Sequence, residues 1–273
     1  MGVSSAFPEP SAVETHGPAR AIAMVNQKGG VGKTTSSVSL GAALAGYGRR
    51  VLLVDFDPQA SMTIAFGLNP DDPSSVPLNV YNLIMDAECH VGDVVITTDV
   101  VRLDLLPGGI ELSGAEQQLV NEVGREKFLA RALAPVMSEY DFIIIDCQPS
   151  LGLLTTNALV AAHVVIIPMN CEYLAMRGVK LLLDTIDKVQ TRLDSPVNLL
   201  GVLGTMYDPR TLHSREVLER MRERFGTQVF QTLIPRTIRF SDATVAGEPI
   251  TSYLPDSNGA EAYEQLAREV LAR

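Results

Sequence analysis

No apolar run in this 273-residue chain approaches the roughly 18–20 residues of a membrane-spanning helix. No secretory-type apolar segment follows the first residues either, so the expectation is a cytoplasmic protein without membrane insertion. Cysteine is scarce. Cys89, Cys147 and Cys171 are odd in number and lack C-x-x-C spacing, which argues against a disulfide frame and against a zinc site. The histidines, His16, His90, His163 and His213, are scattered with no metal-ligand pattern. Positive charge is also short: 22 Lys and Arg face 32 Asp and Glu, a net −10. A uniformly basic nucleic-acid binder is thereby excluded, though a local basic patch is not. The length suits one α/β domain of good size.

Against these absences stands one dense motif. Residues 28–35 read Lys-Gly-Gly-Val-Gly-Lys-Thr-Thr. Three glycines in four positions let the backbone turn tightly and bring several N–H groups onto one anion. Lys33 adds a compact positive charge, and the Thr34 hydroxyl can ligate magnesium. The ordinary phosphate-loop spacing would place glycine at position 27, where Gln27 stands, and a second lysine, Lys28, appears instead. Two cations exceed what one triphosphate needs from such a loop. The context fits: Ala21–Asn26 reads as a buried strand, and Lys33–Ala45 as a helix that stops at Gly46-Tyr-Gly48. A helix N-terminus favours the phosphate further. The bland alternative is a Gly-rich turn that only looks like a phosphate loop.

Downstream, strand and helix signals alternate. Strands are expected at Val51–Val54, Leu103–Leu106, Phe142–Ile145, Val164–Ile167, Leu199–Thr205 and near Val229–Leu233. Helices are expected over Glu111–Ser138, Leu151–Ala162, Leu174–Leu193, Leu212–Phe225 and from Ala260. The stretch 67–101 reads as irregular, with short helices such as Val80–Met85. Met1 to about Ala19, rich in Pro, Ser, Ala and Glu, reads as a flexible tail before a domain over 20–273. Apolar strands spaced by such helices predict a single doubly wound, mostly parallel sheet covered on both faces. Its ligands sit at the carboxyl ends of the strands, where Asn26, Asp57 and Asp146 fall. Asp146 is the expected acid near the metal. Asp57 could orient or deprotonate an attacking water, or could serve as a turn residue before Pro58.

Here a resemblance enters. Lys28–Thr35 looks like the deviant Walker A motif of the ParA/Soj, MinD and nitrogenase iron-protein superfamily. Residues 54–59 (Val-Asp-Phe-Asp-Pro-Gln), 145–155, 171–173 (Cys-Glu-Tyr), 205–211 and 234–239 (Ile-Pro-Arg-Thr-Ile-Arg) resemble the ParA/Soj chromosome-partitioning branch. The likeness runs from about Ala21 to the end of the chain. It implies a P-loop ATPase that uses ATP and Mg2+ and forms a homodimer sandwiching the nucleotides. By that likeness Gly29, Gly30, Val31, Gly32, Lys33, Thr34, Thr35 and Pro235 hold nucleotide, and Thr34 and Asp146 serve the metal. Lys28 reaches the partner's nucleotide and joins Lys33 and Asp57 as the catalytic set. The chain departs from the branch at Gln148, where proline is usual, and at Ala60-Ser61, where Gly-Asn is usual. Both departures fall in expected switch segments and bear on hydrolysis more than on binding.

From Thr205 to Phe240 seven arginines face four carboxylates, a local +3 that leaves −13 on the rest. All the basic residues there are arginine, which suits phosphate contacts. The resemblance assigns Arg210 and Arg239 to double-stranded DNA bound without sequence preference, and implies a ParB-like or analogous stimulating partner and a nucleoid-associated location. Without it, on charge alone, the pairing of Arg215, Glu219, Arg222 and Glu223 reads better as a solvated helix. A MinD-type membrane helix at Ala260–Arg273 is disfavoured by its mixed charge. An iron–sulfur reductase lacks the cysteines, and an amide synthetase needs a substrate pocket that the sequence does not reveal. The alternative of another class is an ATP-binding protein-interaction scaffold, linked to cell division or membrane positioning, with little hydrolysis and no DNA binding.

Overall fold

The computed structural model describes residues 7–171 and 175–273. β1 (Arg20–Met24) feeds the loop and α1 (Lys33–Gly46), and β2 (Val51–Phe56) follows. Then come α2 (Ser61–Ala65), α3 (Val80–Met85), α4 (Val91–Val94), β3 (Ile96–Thr97), β4 (Leu103–Leu106), α5 (Leu112–Leu119) and α6 (Phe128–Leu133). β5 (Phe142–Cys147), α7 (Leu153–Ala161), β6 (Val164–Asn170), α8 (Ala175–Leu193) and β7 (Asn198–Thr205) complete the sheet. The chain closes with α9 (Leu212–Phe225), α10 (Arg239–Ala246), α11 (Ile250–Tyr253) and α12 (Asn258–Ala272).

Seven strands form one sheet in the order β3-β4-β2-β5-β1-β6-β7. Only the β3–β4 pair is antiparallel; the other pairs run parallel. Strand periodicity splits the apolar residues between two cores. Ala21 and Ala23 of β1, Leu52, Val54 and Phe56 of β2, and Ile143 and Ile145 of β5 face one side, toward α3, α5, α6, α7, α8 and α9. Ile22 and Met24, Val51 and Leu53, and Phe142 and Ile144 face the other, toward α1 and α12. The expected doubly wound architecture is therefore observed. The same parity puts Asp55 and Asp146, each two residues beyond an inward apolar side chain, on the α1 face.

Three expectations are corrected. The helix over Glu111–Ser138 breaks after α5, because Gly124 takes a left-handed turn (φ 68°) and Pro135 falls in a short 3-10 turn at Ala134–Val136. The strand near Val229–Leu233 does not form. Its Gln231 and Thr232 N–H groups donate to the carboxylate of Glu269 on α12 (2.9 Å each), which leaves an isolated bridge from Val229 to Val202 and a single bond from Phe230 N to Val202 O (3.0 Å). The stretch 67–101 holds α4 and β3 in addition to α3, and α10 and α11 were not anticipated.

α12 begins at Asn258, and its Tyr263, Leu266 and Val270 are fully buried. That apolar face packs on the domain, with Tyr263 Oη 3.1 Å from Ser36 Oγ of α1. The segment before β1 is described from Phe7. There Arg49 donates to Ser11 O (3.1 Å), Gly17 N donates to Asp141 Oδ1 (3.1 Å), and His16 Nδ1 lies 2.7 Å from Asp141 Oδ2.

Candidate nucleotide-binding site

β1 ends one residue before a loop that is anchored from beneath. Asn26 is buried; its Nδ2 donates to Pro168 O (2.7 Å) and its Oδ1 accepts from Lys28 N (2.9 Å). Thr205, at the end of β7, donates to Val31 O (2.8 Å) and pins the loop's middle. Gly30 and Gly32 adopt positive φ (70° and 84°), which side-chain-bearing residues rarely tolerate. A Cβ at Gly29 or Gly30 would meet nothing within 4 Å, so the outer rim of the loop is open. No side chain caps α1 at Gly32, and the first-turn N–H groups are left to an anion. Lys33 is 7% exposed, with Nζ 3.5 Å from Lys28 O.

The carboxylates approach from β2 and β5. Thr34 Oγ1 donates to Asp146 Oδ2 at 2.6 Å. Ser37 Oγ lies 3.3 Å from Asp146 Oδ1 and 3.1 Å from Lys33 O. Asp55 and Asp146 are register partners across the β2–β5 ladder, and both are wholly buried. Burial, and then the Asp55 carboxylate, push Asp146 up to about 7, opposed by the Thr34 bond and Lys33. Burial pushes Asp55 up to about 6 despite the two bonds it accepts from Thr63. Both carboxyls are thus held toward their protonated forms, with Lys33 the cation that favours ionised Asp146. Asp57, 8% exposed, accepts from Gln59 N (3.0 Å) and so also forms the turn expected of Asp before proline. Ala60 takes a left-handed conformation (φ 49°), which a side-chain-bearing residue seldom adopts.

A cavity of about 400 Å³ opens at the loop. Gly29, Gly30, Gly32, Lys33, Thr34 and Thr35 line its floor; Asp57, Gln59 and Pro149 line one wall. The apolar remainder comes from Val38, Met206, Phe240, Ala243 and Ile250, with Thr244 and Glu248 beside them. Pro235 and Lys28 do not line it. Pro235 instead bridges Tyr207. The α10–α11 wall was not anticipated because the two helices are short, eight and four residues, and neither carries a side-chain N-cap. Asp55 could have been found from the alternation Val51, Leu53, Asp55. Glu172 and Tyr173 of the Cys-Glu-Tyr motif lie outside the described residues.

Arg210 and Arg239 are exposed, as a surface role requires. Each also holds a nearby carboxylate. Arg210 grips Asp208 through Nε and Nη2 (2.9 Å each), and Arg239 Nη1 donates to Asp242 (3.2 Å). The Arg210 hydrogen bond holds Asp208 down at about 2.

Comparison with known proteins places these features. A family model described as "AAA domain" matches residues 19–199. An uncharacterized Mycobacterium tuberculosis protein, Rv1708, is 53% identical over 98% of this chain and 83% of its own. The sporulation initiation inhibitor protein Soj of Bacillus subtilis is 49% identical over 92% of this chain and 98% of its own. Among solved structures, a Mycobacterium smegmatis protein named cobyrinic acid a,c-diamide synthase, with bound ADP and magnesium, is 43% identical. It superposes with a TM-score of 0.81, covering 93% of this chain and 94% of that one.

Proposed function

Because the chain belongs to the ParA/Soj family of chromosome-partitioning ATPases, we propose that it is a magnesium-dependent ATPase that pairs with a second copy when ATP is bound. The pair holds double-stranded DNA without sequence preference. A DNA-bound, ParB-type partner speeds its turnover, and it serves chromosome or cargo positioning on the nucleoid in the cytoplasm. One observation carries the reading: the glycine loop, Asp57 and the Thr34 hydroxyl held by buried Asp146 all meet at one cavity. Its volume falls within the roughly 300–1,000 Å³ usual for small-molecule sites.

Magnesium fits the donors present. A hydroxyl and a buried carboxylate 2.6 Å apart are hard oxygen groups of the kind it takes. Among the described residues no three His, Cys, Asp or Glu side chains are grouped to hold a metal by themselves. A magnesium ion at Thr34 and Asp146 would therefore draw its remaining ligands from phosphate and water. Bound there, it supplies charge neutralisation to the phosphate oxygens. The loop N–H groups and Lys33 position the phosphates of the substrate ATP, and Asp57, at the cavity wall, orients the attacking water. Lys28, outside the cavity, is free of that task and suits a reach toward a second copy's nucleotide.

Phosphate release tests the catalytic half, with Asp57→Ala as the blank; wild-type turnover no higher than the blank would sink it. Sedimentation with ATP tests the pairing: Lys28→Ala should remain monomeric while still binding nucleotide, and normal dimers of that variant would contradict the sandwich. The name borne by the M. smegmatis structure favours a second reading, an ATP-dependent amide-forming synthase. Cobyrinic acid and glutamine added to the ATPase assay discriminate: amide product supports the synthase, and unchanged phosphate release without amide supports the partitioning switch.

A further inference from the structure

Two loops flank the cavity, the Asp57–Ser61 segment after β2 and the Gln148–Gly152 segment after β5. Both are tied to the same stretch of chain, the connection from β4 into α5. On the first side Gly108 N donates to Thr63 Oγ1 (2.8 Å). That hydroxyl donates in turn to Asp55 Oδ2 (2.7 Å), which also accepts Thr63 N (2.8 Å). Thr63 and Asp55 are wholly buried, so these bonds do not compete with water. Thr63 sits in α2, the helix that the Asp57 loop enters. On the second side Glu116 Oε1, from α5, accepts from Gln148 Nε2 and from Leu154 N at the start of α7 (3.2 Å each). A carboxylate at a helix N-terminus is favoured there by the free N–H groups.

Both junctions are closely fitted. A Cβ at Gly108 would lie 2.8 Å from the Asp55 carboxyl carbon, and one at Gly152 would lie 2.2 Å from Glu116 Oε1. Neither position has room for a side chain without displacing the group that makes the tie. Pro149, in the second loop, and Asp57 and Gln59, in the first, all line the cavity.

We infer that the β4–α5 connection, residues 108–116, is a positioning brace that sets the Asp57 loop and the Gln148–Gly152 loop against one another. Thr63 and Glu116 are its two contact points, and both act through other residues. The inference rests on the ATPase reading only for the consequence to turnover.

The test is a double-mutant cycle in the full-length protein, with Thr63→Val, Glu116→Ala and the pair. Each single change is expected to lower kcat roughly tenfold with KM for ATP within about twofold, since small misplacements of positioned groups are costly in rate. The double variant is expected to be little worse than either single one. Independent sites would multiply to within about twofold, and that result would overturn the brace. Glu116→Gln keeps an acceptor oxygen and should restore kcat; failure to restore it counts against positioning by this bond. Amide hydrogen exchange supplies a readout that needs no turnover. Thr63→Val should speed exchange at Leu154, and Glu116→Ala should speed it at Thr63, each across the brace. Loosening confined to the mutated side would refute the inference. Wild-type protein with no turnover would refute the ATPase reading alone, and the exchange experiment would still decide the brace.

Discussion

At the scale of single residues, the site is built from groups held in states they would not choose alone. Ala60 is left-handed at φ 49°, a conformation costing a side-chain-bearing residue about 1–2 kcal/mol. Ala60→Gly should recover about 1 kcal/mol, a rise in Tm of about 2–4 °C, measurable by thermal unfolding without nucleotide. The facing carboxylates give a second expectation. Folded Asp146 keeps its proton up to about 7 and Asp55 up to about 6, against an ordinary 3.8 in the unfolded chain. Between about pH 4 and 7 the folded state binds more protons, so stability without magnesium falls as pH rises through that window. Asp55→Asn keeps an oxygen for Thr63 and removes the second charge. It should stabilise the apo protein by about 1–3 kcal/mol at pH 8 and by little at pH 4. Equal effects at both pH values would show that the buried charge of Asp55 is not the cause. Asp146 was legible from the sequence because it ends an apolar run. Asp55 was missed: the alternation Val51, Leu53, Asp55 marks its face, but only the register with β5 shows that it meets Asp146.

At the scale of elements, local pattern served well wherever one element decides its own fate. α3, α9 and β4 span the residues expected of them, because capping signals and apolar periods lie within each segment. The failure at 229–233 has a long-range cause. Two N–H groups of that run, those of Gln231 and Thr232, go to Glu269, nearly forty positions later, and no reading of the run itself could supply that partner. Glu269 is 0% exposed and also accepts from Arg273 Nη2 (2.7 Å). Truncation leaves two backbone donors without their acceptor and strips the partner from a largely covered arginine. Glu269→Ala should therefore cost about 3–5 kcal/mol, read as a lower denaturation midpoint with the m-value unchanged. A loss under 1 kcal/mol would mean that water replaces the carboxylate. The same contacts explain why α12 is an integral helix of the domain: its Tyr263–Val270 face and Glu269 are already engaged.

At the scale of the whole molecule, a net charge of −10 must be reconciled with the proposed DNA binding. A single chain offers a weak patch, and the structure weakens it further: Asp208 holds Arg210 and Asp242 holds Arg239. A phosphate must then either take the N–H donors these guanidinium groups have left or exchange places with a carboxylate. The exchange is isoelectric at the arginine but leaves an acid beside the DNA. Pairing of two chains doubles the number of arginines presented without changing this local competition, so ATP and the aspartates act independently on affinity. Asp208→Asn/Asp242→Asn protein should bind a random duplex more tightly than its parent in an Asp57→Ala background with ATP. Its log-affinity should also fall more steeply with log salt, by up to about 0.9 for each additional phosphate contacted. Arg210→Glu/Arg239→Glu should abolish binding in the same background, and ADP should abolish it in all of them. An unchanged salt slope in the aspartate variant, with binding intact, would place the DNA contacts elsewhere; the arginines of α9 would then be the next surface to substitute.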